Sequence, residues 1–286
     1  MNYRHAFHAG SFADVVKHAV IARILHYLCA KPAPFRVIDT HAGAGLYDLS
    51  GPEASRSGEW RDGIGKLLAA QLAAPVADLL APYLEVIGAL NERGALATYP
   101  GSPAIARAFL RSDDRLLACE LEPQAFASLT RNLHGDPRIK ALRLDGWTAL
   151  NAYVPPRERR GLVVIDPPFE EEAEFSRLGN GLATAYRKWA TGSYLLWYPI
   201  KTRNAPDRLA SRLRRLGIAK ILRAEVTVAP MSDPRRLNGT GLVLVNPPWT
   251  LPDELGVLLP ALAAILGRDG AGRHRLDWLI GERPAG

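Results

Sequence analysis

Cysteine is scarce in this chain: it has two, Cys29 and Cys119, both in apolar settings. Such a pair argues against a disulfide framework or a thiolate metal site and reads as reduced core residues. Long apolar runs are missing as well. The longest candidate, Leu255 to Leu266, is broken by Pro260 and falls short of the roughly eighteen residues a membrane span requires. The N-terminus shows no charged, then apolar, leader pattern, so the expectation is a cytoplasmic protein without a membrane partner. Internal repeats and low-complexity tracts are absent. Lysine is sparse, 7 residues against 29 arginines, a bias that genomic composition explains as readily as phosphate recognition. His5, His8, His18 and His41 crowd the N-terminal part, but no His-x3-His pair or cysteine ligand accompanies them, so no metal is expected.

What is present is apolar material, 48% of 286 residues, enough for a substantial core in one large α/β domain or two small ones. The net charge of +7 is unevenly placed. Residues 1–156 hold 16 basic and 15 acidic groups, 157–236 hold 16 and 9, and 237–286 hold 4 and 5. The excess lies in 157–236, the footprint of a polyanion-binding face or of solvated helix surfaces.

Ser11 and Asp14 form a capping-box pattern ahead of Val15, Ala19, Val20, Ile24 and Leu28 at helical spacing, which predicts a helix from Phe12 to Cys29. Phe35 to Ile38 then reads as a buried strand running into Asp39-Thr40-His41-Ala42-Gly43-Ala44-Gly45. Residues 48–98 are helical in pattern, carry 7 acidic and 4 basic residues, and interrupt the chain between the first two strands. Ser102 and Pro103 start a helix by N-cap and N1 chemistry. Strands ending at Glu120, Asp145 and Asp166 follow at intervals of one strand-helix unit, which implies parallel neighbours. Further strands are expected at Tyr194 to Tyr198, Lys220 to Val228 and Gly241 to Val245. The segment before the last contains Pro230, Pro234 and Gly239 and cannot be a crossover helix, so strand seven should run antiparallel to six. The expected fold is a single Rossmann-like α/β domain over 1–286: seven strands, the last antiparallel, with a small helical insertion at 48–98.

Four strands of such a sheet end in acids on its ligand-binding edge: Asp39, Glu120, Asp145 and Asp166. An acid after the second strand can accept both hydroxyls of a ribose, as in dinucleotide enzymes. The loop from Asp39 to Gly45 lacks the third glycine of a dinucleotide fingerprint, however, and no pyrophosphate loop opens directly into a helix. A cationic sulfonium cofactor without phosphates fits carboxylates better.

The corner Asp166-Pro167-Pro168-Phe169 closes the apolar run Leu162 to Ile165. Two prolines fix φ and remove two donors, leaving carbonyl acceptors beside a carboxylate and an aromatic ring. Acceptors for both hydrogens of an aromatic amine return electron density to its nitrogen, and Phe169 is placed to stack on the base, the logic of enzymes that take a base out of its stack. Asn246-Pro247-Pro248-Trp249 matches the same pattern, but an antiparallel last strand puts it at the opposite sheet edge.

With these motifs, the run Tyr3-Arg4-His5-Ala6-Phe7-His8-Ala9-Gly10 continuing to Asp14, Lys17 and His18, and Tyr99 to Pro103, the chain resembles the RlmJ family of bacterial 23S ribosomal RNA adenine-N6 methyltransferases. The likeness covers nearly the whole chain. It implies that Lys17, His18, His41, Ser102, Glu120, Asp145, Gly146 and Asp166 hold S-adenosylmethionine, that Asp166 is catalytic, and that Tyr3 and His5 lie near the incoming adenine. It also implies a helical subdomain at the insertion. The family usually has tyrosine where Phe169 stands, so the hydroxyl is lost and the stacking face kept.

The expected activity is methyl transfer from S-adenosylmethionine to adenine N6 in 23S rRNA before full subunit assembly, by a monomer without an obligate protein partner. Asp166 and a carbonyl of the Pro167 region would hold the amine. Lys201, Arg203, Arg235 and Arg236 belong on the active edge to meet RNA phosphates; Arg157, Arg159 and Arg160 fall on the other. Alternatives are a DNA adenine or protein glutamine-amide methyltransferase, or a non-catalytic RNA-binding protein on this scaffold.

Overall fold

A computed structural model describes residues 4–91, 94–170 and 173–282. Among these residues the strands are β1 (Arg36–Asp39), β2 (Leu46–Asp48), β3 (Thr98–Pro100), β4 (Arg115–Cys119), β5 (Ile139–Leu142), β6 (Gly161–Ile165), β7 (Ser193–Ile200), β8 (Ile221–Thr227), β9 (Gly239–Val245) and β10 (Arg273–Ile280). Eight form one sheet in the order β10-β8-β9-β7-β6-β1-β4-β5, and β2 with β3 makes a separate antiparallel ribbon.

Strands β5, β4, β1, β6 and β7 are parallel. Asp39 lies level with Ala118 and Val164, so the residues after β1, β4 and β6 emerge together at one edge. Strand order reverses beside β1, where the crossovers leave in opposite directions and open a crevice. Strand β9 runs antiparallel to both β7 and β8, pairing Val245 with Tyr194. That register carries Asn246-Pro247-Pro248-Trp249 to the opposite edge. There the Asn246 side-chain amide donates to the carbonyls of Ala190 and Gly192, both at 2.8 Å, a structural cap.

The main sheet has eight strands where the sequence reading expected seven. Strand β10 carries Arg273, His274, Arg275 and Asp277, a charged composition that hides the strand. It is an edge strand, where charge blunts pairing with other chains, and Asp277 is held at 2.8 Å by buried Arg223 of β8.

Helices α1 (Phe12–Cys29), α2 (Pro52–Ser57), α3 (Lys66–Ala69), α4 (Ala74–Leu90), α5 (Ser102–Phe109), α6 (Pro123–Asn132), α7 (Gly146–Tyr153), α8 (Glu174–Lys188), α9 (Asn204–Arg214) and α10 (Leu251–Leu266) complete the layers. Apolar residues of α1, α4, α5 and α10 share one core, and those of α7, α8 and α9 the other. Helix α1 is buried nearly all round rather than on one stripe, because α4 and α10 cover its outer side. Residues 48–98 thus contribute Leu80, Tyr83 and Ile87 to the same core as Val16 and Ile21. Gly63 seals this junction: a Cβ there would stand 2.0 Å from the Gly10 carbonyl oxygen, while Ile64 N–H donates to that oxygen at 2.9 Å.

Candidate active site

A helix buried all round that carries Asp14, Lys17 and His18 must pair them internally, since an unpaired buried charge is costly. Lys17 Nζ lies 2.9 Å from Asp14 Oδ1 and 2.5 Å from Asp166 Oδ2, linking the first turns of α1 to the corner after β6. Asp14 Oδ2 accepts from Gly10 N–H at 3.0 Å and lies 2.9 Å from His5 Nε2. Burial opposes the ionised form of Asp14, but His5, Lys17 and His18 hold its carboxyl well below the usual range. Burial likewise opposes the charge on Lys17, and Asp14 with Asp166 outweighs it, so the ammonium persists.

This network corrects the capping box. Ser11 is the N-cap of α1, yet its side chain makes no capping hydrogen bond. Asp14 reaches Gly10 instead because its second oxygen is committed to Lys17. Gly10 stands at φ +74°, a left-handed conformation that costs glycine little.

The loop after β1 closes on the acid after β4. Glu120 accepts Gly43 N–H at 2.9 Å through one oxygen and Glu122 N–H at 2.8 Å through the other, and burial raises its pKa. Gly43 has φ +61°, and a Cβ there would meet the Tyr47 hydroxyl at 2.2 Å. Asp39 is buried below the loop, pushed up to about 7 by burial, with the Ser102 hydroxyl working against that shift. Ser102 is the first residue of α5 and Gly101 its N-cap. The expected Ser102 cap is therefore displaced by one position.

Asp145 caps α7, accepting Thr148 N–H at 2.8 Å through Oδ2. Gly146 lets that first turn meet the β1 loop: a Cβ would lie 2.4 Å from the Thr40 carbonyl oxygen and 2.6 Å from the His41 ring. Gly146→Ala should therefore push α7 off the loop, lower stability by about 1–3 kcal/mol and weaken any nucleoside bound there. Chemical denaturation with titration calorimetry checks this, and unchanged affinity would remove Gly146 from the binding wall.

These parts surround one cavity of about 840 Å³. His5, Lys17, His18, His41 and Ser102 line it, facing Glu120, Asp145, Gly146, Asp166 and Pro167. Phe169 does not. It stands at φ +51°, its ring packed edge-on against Phe175 (centroids 4.8 Å apart) and Trp197 (5.6 Å). The expected stacking position is thus not formed in this conformation, because the aromatic cluster gives the ring more contact than the cavity rim. Tyr3 lies outside the described residues.

Lys201 follows β7 on the active edge, and the loop of Arg235 and Arg236 is tied to it where the Asn238 amide donates to the Lys201 carbonyl at 2.8 Å. None of the three lines the cavity. Arg203 shares their edge but is already engaged, 2.7 Å from Glu225 and 2.8 Å from Asp207. This corrects its expected role as an open phosphate ligand. Arg235 pairs with Asp233 at 3.1 Å but keeps 89% of its side chain exposed, and such surface pairs exchange partners at little cost.

The sequence reading missed Asp14 as the hub of the charges, taking it only for a cap. It also missed Trp147, which lines the cavity and meets the His41 ring at 5.5 Å. The useful signal was three ionisable residues, Asp14, Lys17 and His18, within five positions at the start of a largely apolar helix.

Burial lowers the pKa of His18 to about 3 and that of His41 to about 4. In the unfolded chain both take up protons near pH 6.5, so over the interval between these values the unfolded state binds more protons and acidification destabilises the fold. Asp39, raised to about 7, holds a proton in the fold over the same interval and offsets one histidine, so stability should fall from pH 6.5 towards 4 with a net slope of up to about 1.4 kcal/mol per pH unit. Urea midpoints across that range test this, and a flat profile would contradict it.

The family model described as "Ribosomal RNA large subunit methyltransferase D, RlmJ" matches residues 32–280. Two curated proteins named "Ribosomal RNA large subunit methyltransferase J", from Escherichia coli (strain K12) and Haemophilus influenzae, are each 40% identical to this chain, covering 99% of it and 100% of their own length. A crystal structure of a Legionella pneumophila protein superposes with a TM-score of 0.86 at 34% identity, covering 94% of this chain and 98% of that one.

Proposed function

Because the chain belongs to the RlmJ family of ribosomal RNA large subunit methyltransferases, we propose that it transfers a methyl group from S-adenosylmethionine to N6 of one adenosine in 23S rRNA. The observation that carries this reading is the Asp166-Pro167 corner facing a cavity walled by the acids after β4 and β5.

The residues present fit the cofactor. The volume of about 840 Å³ lies within the roughly 300–1,000 Å³ of small-molecule sites and leaves room for a splayed base. Glu120 has both oxygens held by backbone N–H groups, and a half-buried carboxylate gains from ribose hydroxyl donors. Gly146 lets the first turn of α7 close on Thr40 and His41, which shapes the cavity wall beside Asp145. Lys17, His18, His41, Ser102 and Asp145 complete the wall, with His5 towards the incoming base. Bound S-adenosylmethionine supplies an electrophilic methyl group.

Asp166 and the Pro167 carbonyl hold the two amine hydrogens of the target adenine and turn its nitrogen towards the cavity. Lys17 occupies Asp166 Oδ2 at 2.5 Å, leaving Oδ1 as acceptor and fixing the side chain in one orientation. The carboxylate so held is an acceptor of fixed direction. It orients the amine, and the proton departs after transfer. Lys201, Arg235 and Arg236 meet RNA phosphates at the rim, and residues 48–98 act as a helical subdomain within a single domain spanning 1–286. Chemistry on a base's exocyclic amine requires the adenosine to leave its stack, which favours rRNA not yet covered by ribosomal proteins as substrate, with the protein acting as a cytoplasmic monomer.

Incubation with methyl-labelled cofactor and, separately, protein-free 23S rRNA, duplex DNA and a bacterial protein extract tests the reading. Label should enter RNA alone, as N6-methyladenosine. Label in DNA or protein, or in no substrate despite cofactor binding, overturns it.

A further inference from the structure

A buried hydrogen-bond chain runs from the helical insertion to the cavity wall. Tyr83 Oη on α4 lies 2.9 Å from Tyr99 Oη on β3, which lies 2.9 Å from His18 Nδ1 on α1. Both tyrosines are wholly buried and His18 is 1% exposed. The Tyr99 ring also stacks on the imidazole, with centroids 5.6 Å apart and planes at 28°.

The direction of this chain follows from its end. Among the described residues the Tyr83 hydroxyl has no hydrogen-bond partner besides Tyr99, and its surroundings, including Leu80 and Ile87, are apolar core. A buried hydroxyl proton needs an acceptor, and Tyr99 Oη is the one in reach. Tyr83 therefore donates to Tyr99, and Tyr99 donates its own proton to His18 Nδ1. The opposite order would leave the Tyr83 proton unpaired in the core. A neutral imidazole that accepts at Nδ1 carries its hydrogen on Nε2. Nε2 stands 3.9 Å from Asp14 Oδ1, too far for a hydrogen bond yet favourable for N–H, and the ring lines the cavity. Burial keeps the ring neutral, lowering its pKa to about 3.

We propose that Tyr83 and Tyr99 are positioning residues that lock His18 in the Nε2–H tautomer, so that the helical insertion sets a fixed hydrogen-bond donor in the cavity wall for an acceptor atom of S-adenosylmethionine. This rests on the proposed function for the identity of the ligand. The tautomer itself rests on the Tyr83–Tyr99–His18 geometry.

Imidazole ¹⁵N–¹H correlation spectra of the ligand-free, full-length protein at neutral pH should show His18 protonated at Nε2 alone. An Nδ1–H tautomer or an imidazolium overturns the proposal. In the double variant Tyr83→Phe/Tyr99→Phe, which removes both hydroxyls without leaving one orphaned, the spectrum should become a tautomer mixture. Calorimetry should then give S-adenosylmethionine affinity weaker by about three- to tenfold, the scale of one neutral hydrogen bond, with kcat at saturating cofactor within about twofold. Tyr83→Phe alone should shift both readouts less, because Tyr99 can still donate. A double variant that loses thermal stability but keeps its tautomer and its affinity overturns the proposal, since a purely structural role predicts that pattern. Wild-type protein that binds no S-adenosylmethionine would defeat the proposed function and this ligand assignment, with the tautomer still decided by the spectrum.

Discussion

Replacing Asp166 with asparagine is expected to slow methyl transfer by at least about a hundredfold, the cost of losing the alignment of a reacting group, while the protein stays folded. The change keeps the shape of the side chain and removes its charge. Lys17 then loses the partner 2.5 Å away but keeps Asp14 at 2.9 Å, so the buried ammonium is not orphaned and the loss falls on chemistry. An amide in this place can also turn its NH2 towards the adenine amine, presenting a donor where an acceptor is required. Single-turnover transfer to rRNA, with cofactor affinity measured separately, reads the two effects apart. A rate within tenfold of the parent would mean that the Pro167 carbonyl orients the amine without Asp166.

The second large effect is on stability and concerns Asp14. Asp14→Ala removes at one stroke the carboxylate that serves Lys17, His5 and the Gly10 N–H. Taking away one partner of a buried pair costs about 3–5 kcal/mol, and urea unfolding should show a loss of that order. Asp14→Asn retains an acceptor for Gly10 N–H and should fall between alanine and the parent. Because the Asp14 pKa is lowered in the fold, its contribution is fully present above the ordinary carboxylate value and disappears as pH falls through the lowered one. The two variants should therefore differ from the parent at neutral pH and converge on it in strong acid. A loss below about 1 kcal/mol at neutral pH would show that Lys17 is held adequately by Asp166.

Much of the site was readable because strand ends are local events. Glu120, Asp145 and Asp166 each follow an apolar strand and precede a helix, so their common edge follows from the parallel pairing of β4, β5 and β6 with their neighbours. The separation of Asp166 from its Asn246 twin was readable too, since a proline-rich return cannot be a crossover helix. Less accessible was anything that depends on what a side chain meets across space. Phe169 is taken up by Phe175 and Trp197, Arg203 by Glu225, and Asp14 by Lys17 in place of the Ser11 cap. For Arg203 the winning partner is distant in sequence; Lys17 is only one helical turn from Asp14, but it is fixed there by Asp166 across the fold. Strand β10 escaped notice for a related reason, since the partner that holds Asp277 in the sheet, Arg223, lies on β8.

By itself, the order of residues determined the parallel α/β sheet, the antiparallel return of β9 and the row of acids along one edge, because apolar periodicity and turn chemistry act over a few neighbours. Tertiary structure alone decided the wiring: Lys17 bridging Asp14 and Asp166, His18 facing Tyr99 and Tyr83, and the Gly63–Gly10 contact that seats the insertion on α1. Those links join groups many residues apart. Their strength comes from burial, which turns each unpaired polar atom into a penalty that only one arrangement of the folded chain avoids.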